Sequence, residues 1–280
     1  LHALRRRQLT DGSVAHVHGE QVVVEKPVGI RAMLRGIEDL GAIGRPVDRM
    51  FVSDALRELA VLSTGDELIE PGQALGPGQI YNSNRVLLCS WLQRLGCEVV
   101  DAGILPDDLV TTRARLGELK DVDLILSTGG VSVGEADFLG IALREEGELS
   151  LWKLAIKPGK PLTFGHFRGV PVIGLPGNPA STLVTFALLT RPYLLRRLGV
   201  KDVAPLNVQV QCGFDWPIAG NRREYLRGRL ENGRAIIYKN QSSGVLRSAA
   251  WADGLVEVME GRTLVAGDSV SFIPLSEVLI

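Results

Sequence analysis

The spacing of apolar residues changes between two periods from about Leu59 to Gly199. Short apolar runs such as LAVLS (59–63) and VDLILS (122–127) are typical of buried strands. SNRVLLCSWLQRLG (83–96) instead has apolar residues at helical spacing and places Gly96 where a C-terminal cap belongs. Strands and helices alternate in this way along the region, which predicts βαβ connections and a parallel sheet covered by helices on both faces.

The same pattern predicts the other elements of this region. We predict further strands over CEVVDAGIL (97–105), Leu149–Ile156 and Val170–Leu175, and helices over LVTTRARLGEL (109–119), Phe138–Glu146 and from Pro179 towards Leu198. Before this region, residues 14–27 have a strand pattern, whereas residues 28–50 have no clear period. The fold class is therefore α/β, with three layers.

After Gly199 the chain consists of short β-rich runs. NVQVQCGF, EYLRGRL, RAIIYKN, GLVEVME and SVSFIPL are separated by turn residues such as Asn232-Gly233 and Asp253-Gly254. They predict a small all-β domain. We divide the chain into a poorly defined N-terminal remnant (1–55), the α/β domain (56–199) and a C-terminal β domain (200–280).

Charge and composition exclude several classes of protein. The 31 basic and 32 acidic residues nearly cancel, which argues against nonspecific binding to nucleic acid or to an anionic membrane. No apolar run is long enough to span a membrane, and the N-terminus lacks the apolar core of a signal peptide, so a cytoplasmic location is expected. The three cysteines form no CxxC pair and are interpreted as reduced thiols.

Acidic residues follow three of the predicted strands. Glu67 follows the first strand, Asp107 the second and Asp137 the third, and Asp66 lies beside Glu67. Ligands of an open parallel sheet bind beyond the carboxyl ends of its strands, where these carboxylates would repel one another without a cation. We predict a Mg²⁺ site formed by Glu67, Asp107 and Asp137. The alternative is that they are solvated loop acids or helix N-caps, a role that suits Asp137 before FLGIAL.

Two loops have the composition of anion-binding turns. STGGVSVGEAD (127–137) can present backbone N–H groups and hydroxyls to a phosphate, with Thr128, Gly129, Gly130 and Ser132 as the candidates, although a strand-end GG is often only a tight turn. GLPGNPAS (174–181) leads into a helix, with Asn178 at the N-cap and Pro179 at the first helical position. Pro176 and Gly177 complete this second candidate.

Cationic residues stand in two further segments. Lys153 and Lys157 lie four apart in a run that we interpret as extended, so that both project to one side and could hold a dianion. In the β domain, Arg223 and Arg227 would share one face of a strand in GNRREYLRG. Lysines and arginines on a solvated surface would show the same patterns.

Six motifs in order resemble the molybdopterin molybdenumtransferase family, the MoeA and gephyrin E-domain proteins. They are STGDEL, GQIYNSN, LGCEVVDAGILPDD, STGGVSVGEADF, WKLAIKPGKP and GLPGNPAS, and the resemblance extends from about Ala60 to Ile280. It implies that molybdate is inserted into adenylylated molybdopterin with release of AMP, in the presence of Mg²⁺. It also implies a homodimer, with the molybdopterin adenylyltransferase as a further partner.

The resemblance assigns roles to individual residues. Glu67, Asp107 and Asp137 would be the acidic metal and substrate residues, Lys153 and Lys157 would hold the oxyanion, and Pro176 and Pro179 would shape the loop beneath it. Arg222 and Ser243 correspond to positions that complete a molybdate pocket.

The N-terminal part departs from the family. Only about fifty poorly matching residues precede the core, and the RRGED segment of the family is matched at best by LRGIED (34–39), which makes Asp39 a weak candidate.

Two other functions stay open. A molybdopterin adenylyltransferase shares the α/β domain, but KPGKP, GLPGNP and the added β domain argue against it. A non-catalytic scaffold like gephyrin would need a partner groove, for which the sequence has no sign. A generic nucleotide-binding protein lacks both a GxGxxG motif and a P-loop lysine.

Overall fold

A computed structural model describes residues 6–8, 14–18, 21–24, 58–129 and 137–279 of the chain, with the backbone alone for the first three segments and for residues 150–153. Most of the N-terminal remnant, including Asp39, lies outside the described residues, as do Gly130 and Ser132. Within those residues no helix is both long enough and apolar enough to cross a membrane.

The described residues form seventeen strands. In chain order they are β1 (Arg6–Gln8), β2 (Val14–His18), β3 (Gln21–Val24), β4 (Glu58–Thr64), β5 (Leu68–Ile69), β6 (Ile80–Tyr81), β7 (Glu98–Leu105), β8 (Leu124–Thr128), β9 (Gly147–Lys153), β10 (Ile156–Lys157), β11 (Pro161–Phe167), β12 (Val170–Leu175), β13 (Val208–Cys212), β14 (Arg223–Glu231), β15 (Arg234–Ile237), β16 (Gly254–Val258) and β17 (Ser269–Pro274). The predicted α/β domain followed by an all-β domain is confirmed.

Helices separate the strands of the first domain. They are α1 (Ser83–Arg94), α2 (Leu109–Glu118), α3 (Phe138–Glu146), α4 (Pro179–Thr185) and α5 (Arg191–Arg197), with α6 (Leu246–Trp251) in the second domain and a 3-10 turn at Leu275–Glu277. Between α4 and α5 the residues Phe186–Thr190 form a π-helical turn, in which Arg191 N–H donates to the Phe186 carbonyl. Pro192 next along the chain has no N–H to donate, which accounts for the irregular turn just before it.

The main sheet has a parallel centre and an antiparallel flank. Its order is β1-β2-β3-β9-β11-β12-β8-β4-β7, and β7, β4, β8 and β12 run parallel. Strand β11 was not predicted; it pairs antiparallel with both β9 and β12. Gly165 permits this pairing, because a Cβ there would lie 2.1 Å from the Glu148 carbonyl oxygen.

Alternate residues of the central strands enter two separate cores. Leu59 and Val61 pack with α1, α4 and α5 on one face, whereas Ala60 and Leu62 pack with α2 and α3 on the other. This is the three-layer arrangement predicted from the sequence. Cys89, Cys97 and Cys212 are not paired in disulfides.

The second domain is a small closed barrel. Strands β14, β15, β13, β17 and β16 pair in this order, and β16 also pairs with β14, which closes the ring. Asn232 and Gly233 both have positive φ, as the tight turn between β14 and β15 requires.

The barrel is joined to the first domain by strand pairing and by a shared core. β10 leaves the main sheet and pairs parallel with β14, opposing Ile156 to Arg223 and Lys157 to Glu224. Tyr225, Leu255 and Ile273 of the barrel belong to the same apolar core as α1 and α4. The segment WKLAIKPGKP therefore lies at the seam between the two domains.

Candidate functional site

Three strand-end loops meet at one edge of the main sheet. Strands β4, β8 and β12 end at Thr64, Thr128 and Leu175, and their parallel register pairs Thr128 with both Ser63 and Leu175. Gly129 has φ +87°, and a Cβ there would lie 2.4 Å from the Thr64 carbonyl oxygen. The third loop, which follows β8 (residues 127–137), therefore passes at Gly129 directly against Thr64, and the Gly129 N–H donates to the Leu175 carbonyl at 3.3 Å.

Asn84, near the start of α1, ties two of these loops together. This buried side chain donates from Nδ2 to Thr128 Oγ1 at 2.8 Å and to the Gly177 carbonyl at 2.6 Å. It lies in the GQIYNSN motif, yet the sequence analysis assigned it no role. The signal that could have identified it is its position: a polar residue in the first turn of a helix, at the end that lies near the strand ends of the sheet.

We expect Asn84→Ala to lower the free energy of unfolding by about 2 kcal/mol, because the buried Thr128 hydroxyl and the partly buried hydrogen bond to the Gly177 carbonyl lose their donor. Urea denaturation measures this change. Ser90→Ala on the exposed side of the same helix is the matched control and should change stability by less than about 0.5 kcal/mol. Equal stability of the two variants would contradict the role of Asn84.

Carboxylates gather at the ends of β4 and β7. Asp107 N–H donates to Asp66 Oδ1 at 3.1 Å, and the exposed Glu67 folds its carboxylate back over Gly65. The pKa of Asp107 is raised, first by partial burial and then by the charges of Asp66 and Glu67. A cation would relieve this repulsion.

Asp137 has a different environment. It is the N-cap of α3, buried, and accepts from the Gly140 N–H at 2.8 Å. Burial raises its pKa, against the opposing effects of that hydrogen bond and of Arg144. Asp137 therefore forms the helix-capping hydrogen bond that the sequence suggested as an alternative to metal binding.

Across the described ranges, no group of three or more His, Cys, Asp or Glu side chains is arranged to hold a metal ion. Mg²⁺ commonly takes one or two carboxylates together with water and phosphate oxygens, and the neighbouring Glu67 and Asp107 fit that smaller requirement. Glu67, Asp107 and Asp137 do not come together as a set of three metal ligands.

The two candidate lysines do not share one strand, and the prediction of a single extended run was wrong. β9 ends at Lys153 in the main sheet, whereas Lys157 belongs to β10, which pairs with the barrel. The chain changes partners between these two strands, and Pro158, Gly159 and Pro161 follow as it returns to the main sheet in β11. The Lys153 side chain lies outside the described atoms, so only its place at the end of β9 is defined.

Lys157 opens onto a cavity at the seam between the domains. The cavity has a volume of about 270 Å³ and is lined by Lys157, Pro158, Glu224, Leu226, Arg227, Gln241 and Ser242. Lys157 Nζ lies 3.1 Å from Glu224 Oε2. Arg222, also a candidate, lies alongside, with Nη1 donating to the Ile156 carbonyl at 3.1 Å.

The barrel arginines do not form one cationic face. Arg223 is paired with Glu257 and Glu260 of the barrel. Arg227 is fully buried, and its guanidinium donates to Ser248 Oγ and to the carbonyls of Tyr225 and Ser242. Burial lowers its pKa to about 10, so it stays charged at neutral pH.

The fifth loop, which follows β12 and contains GLPGNPAS (174–181), contacts the barrel. Ala180 N–H, in the first turn of α4, donates to the Ser243 carbonyl at 3.0 Å, which brings candidate Ser243 against Pro179. Asn178 occupies the N-cap position without a side-chain capping bond, and Thr182 Oγ1 donates to the Pro176 carbonyl at 2.6 Å. The sequence predicted that the N–H groups at this helix N-terminus would be free to bind an anion. One of them, the Ala180 N–H, is instead hydrogen-bonded to the barrel.

Comparison with known proteins matches both parts of this arrangement. Residues 60–196 match the family described as the probable molybdopterin binding domain, and residues 209–275 match the MoeA C-terminal region (domain IV). The chain belongs to the MoeA family. A similar solved structure is the molybdopterin biosynthesis moea protein of Pyrococcus horikosii, with a TM-score of 0.67 and 32% identity, covering 88% of this chain and 60% of that one.

Curated MoeA-family relatives are similar over different lengths. The molybdopterin molybdenumtransferase of Haemophilus influenzae is 47% identical over 146 residues, covering 52% of this chain and 36% of the relative. Molybdopterin molybdenumtransferase 2 of Mycobacterium tuberculosis is 32% identical over 259 residues, covering 89% of this chain and 61% of the relative. The chain thus spans between about a third and three fifths of these relatives.

Proposed function

We propose that this chain acts in molybdenum cofactor biosynthesis as a molybdopterin molybdenumtransferase, inserting molybdate into adenylylated molybdopterin with release of AMP. The observation that carries the proposal is the seam between the domains. There the barrel contacts the fifth loop through Ser243 and pairs with β10, which carries Lys157. Glycine-rich loops and cationic side chains are thereby parts of one connected arrangement.

The proposed roles follow the chemistry of each part. Main-chain amides of the loops that contain Gly129 and Gly177 would bind phosphate oxygens, since no side chain blocks their approach. Lys157, Lys153 and Arg222 would attract molybdate, with Ser243 as a neighbouring polar group. Glu67 and Asp107 would hold Mg²⁺, whose charge would offset that of the phosphates, and Asp137 would act as an acidic residue towards the substrate.

The partners and the location belong to the same proposal. We propose a homodimer, as the resemblance to the family implies, and transfer of the adenylylated pterin from the molybdopterin adenylyltransferase. The nearly balanced charge gives no reason to expect a nucleic-acid partner. The proposed location is the cytoplasm.

The test is incubation of the chain with adenylylated molybdopterin, Mg²⁺ and molybdate while AMP is measured. We expect release that depends on molybdate. ATP consumption without such release would favour the adenylyltransferase instead. Binding of a peptide by a variant that lacks Asp107 and Asp137, with no AMP release by the unmodified chain, would favour a scaffold.

Asp137→Asn separates catalysis from folding. Asparagine caps a helix as well as aspartate, so we expect stability within about 0.5 kcal/mol of the unmodified protein. Removal of the carboxylate charge should lower AMP release at least about tenfold. Asp108→Asn, at the N-cap of α2, is the control and should release AMP normally. Unchanged turnover in Asp137→Asn would restrict Asp137 to its capping role.

A further inference from the structure

The cavity that Lys157 borders contains an acidic residue with no assigned role. Glu224 lies on β14, is 4% exposed and contributes its side chain to the cavity wall. A buried carboxylate beside a site for an oxyanion opposes binding of that anion, so its presence calls for a physical reason.

Glu224 is fixed from two sides. Its Oε2 is 3.1 Å from Lys157 Nζ, and the two residues are opposed in the parallel pairing of β10 with β14. Its Oε1 lies against Gly220, where a Cβ would approach to 2.4 Å. The Lys157 side chain is 52% exposed and would otherwise sample many rotamers, so the buried carboxylate restricts where its ammonium group lies.

The charges that line the cavity are nearly balanced. Lys157 and Arg227 are cationic and Glu224 is anionic, which leaves one net positive charge in the lining. Within the described part of the chain, the Arg227 guanidinium donates to a hydroxyl and two carbonyls, and none of these partners is a carboxylate. Glu224 is thus the group that lowers the positive charge of the cavity.

We propose that Glu224 is a positioning residue, which holds the Lys157 ammonium at the cavity and weakens the binding of molybdate so that the anion can be passed on. The proposal rests on the proposed function, because it assumes that the cavity receives the oxyanion. Tight binding of a substrate in the ground state lowers KM without raising kcat. A carboxylate that weakens ground-state binding of molybdate therefore does not slow its transfer.

Two substitutions separate the charge of Glu224 from its position. Glu224→Gln removes the charge but keeps a similar shape, and we expect molybdate to bind about five times more tightly to the more positive cavity. Its kcat should fall about tenfold, because the amide holds Lys157 less firmly. Gly220→Ala keeps every charge but displaces the carboxylate, so kcat should fall while molybdate affinity stays within about twofold.

The measurements use the full chain. Molybdate alone is titrated by calorimetry, kcat and KM are obtained from AMP release, and thermal unfolding reports the folded fraction. Glu257→Gln is the matched control, since Glu257 is a mostly buried, paired acid of the same barrel outside the cavity lining. It should leave affinity and kcat unchanged. Glu224→Asp keeps the charge and should recover the affinity of the unmodified protein.

The outcomes are distinguishable. Tighter molybdate binding with lower kcat in Glu224→Gln supports the proposal, whereas unchanged or weaker binding overturns it. Parallel losses in Glu224→Gln and Glu257→Gln would show a purely structural role and also overturn it. If the unmodified chain releases no AMP, the proposed function fails, while the affinity comparison with molybdate alone still decides the role of Glu224 in anion binding.

Discussion

Lys157→Ala should lower molybdate-dependent AMP release about 100-fold, because the cavity loses the cation that faces solvent and retains a buried carboxylate. Lys157 Nζ contacts Glu224 at 3.1 Å, so the substitution changes the lining from one net positive charge to none. We expect most of the loss in kcat/KM for molybdate, measured by AMP release at varied molybdate concentration. A loss of less than about threefold would remove Lys157 from the proposed site.

The same substitution should also reduce stability, which a second variant corrects. An unpaired buried Glu224 costs about 1–2 kcal/mol, less than in a fully buried pair because Lys157 is half exposed. Lys157→Ala combined with Glu224→Gln removes the unpaired charge and should regain most of that stability. Activity should stay low in the double variant. Recovery of activity along with stability would show that Lys157 matters only for folding.

Gly129→Ala should be the most destabilising of the proposed loop substitutions. Gly129 has φ +87°, and the new Cβ would lie 2.4 Å from the Thr64 carbonyl oxygen, which is backbone and cannot rotate away. Left-handed strain and this clash together should lower the free energy of unfolding by about 2–4 kcal/mol, measured by urea denaturation. AMP release should fall as well, since the amides of the third loop would shift.

Gly177→Ala provides the stability control for Gly129→Ala. Among the described residues, a Cβ at Gly177 would meet only the Gly129 α-carbon, at 3.6 Å, and the φ of Gly177 is not in the left-handed region. Its stability should therefore change by less than about 0.5 kcal/mol. Similar losses of stability in both variants would mean that the close approach of Gly129 to Thr64 is not the cause of the destabilisation.

Local patterns were sufficient to predict most of the fold. The continuous apolar run from Leu59 to Leu62 and the helical spacing of apolar residues in 83–96 are local signals, and the structure has both elements where they were predicted. Strand β11 was missed because Pro161, Gly165 and His166 leave it without the continuous apolar run that identified the other buried strands.

The candidate site was harder to predict because its contacts join distant segments. The acidic residues after β4 and β7 were found from strand-end position alone, and the capping role of Asp137 from the residues that follow it. The pairing of Lys157 with Glu224 joins a two-residue strand to the barrel, and no local pattern predicts it. Asn84 and Arg227 likewise acquire their roles from partners far along the chain.

The short strand β10 makes the position of Lys157 depend on the barrel. Its neighbours on both sides in the chain, β9 and β11, are held in the main sheet, while Ile156 and Lys157 are hydrogen-bonded to β14. Glu224 and Arg227 of the cavity wall lie on that same barrel strand, so any shift of the barrel would move Lys157 together with them. The Lys157 ammonium therefore keeps its distance to the barrel wall of the cavity, although the strands on either side of it in the chain belong to the main sheet.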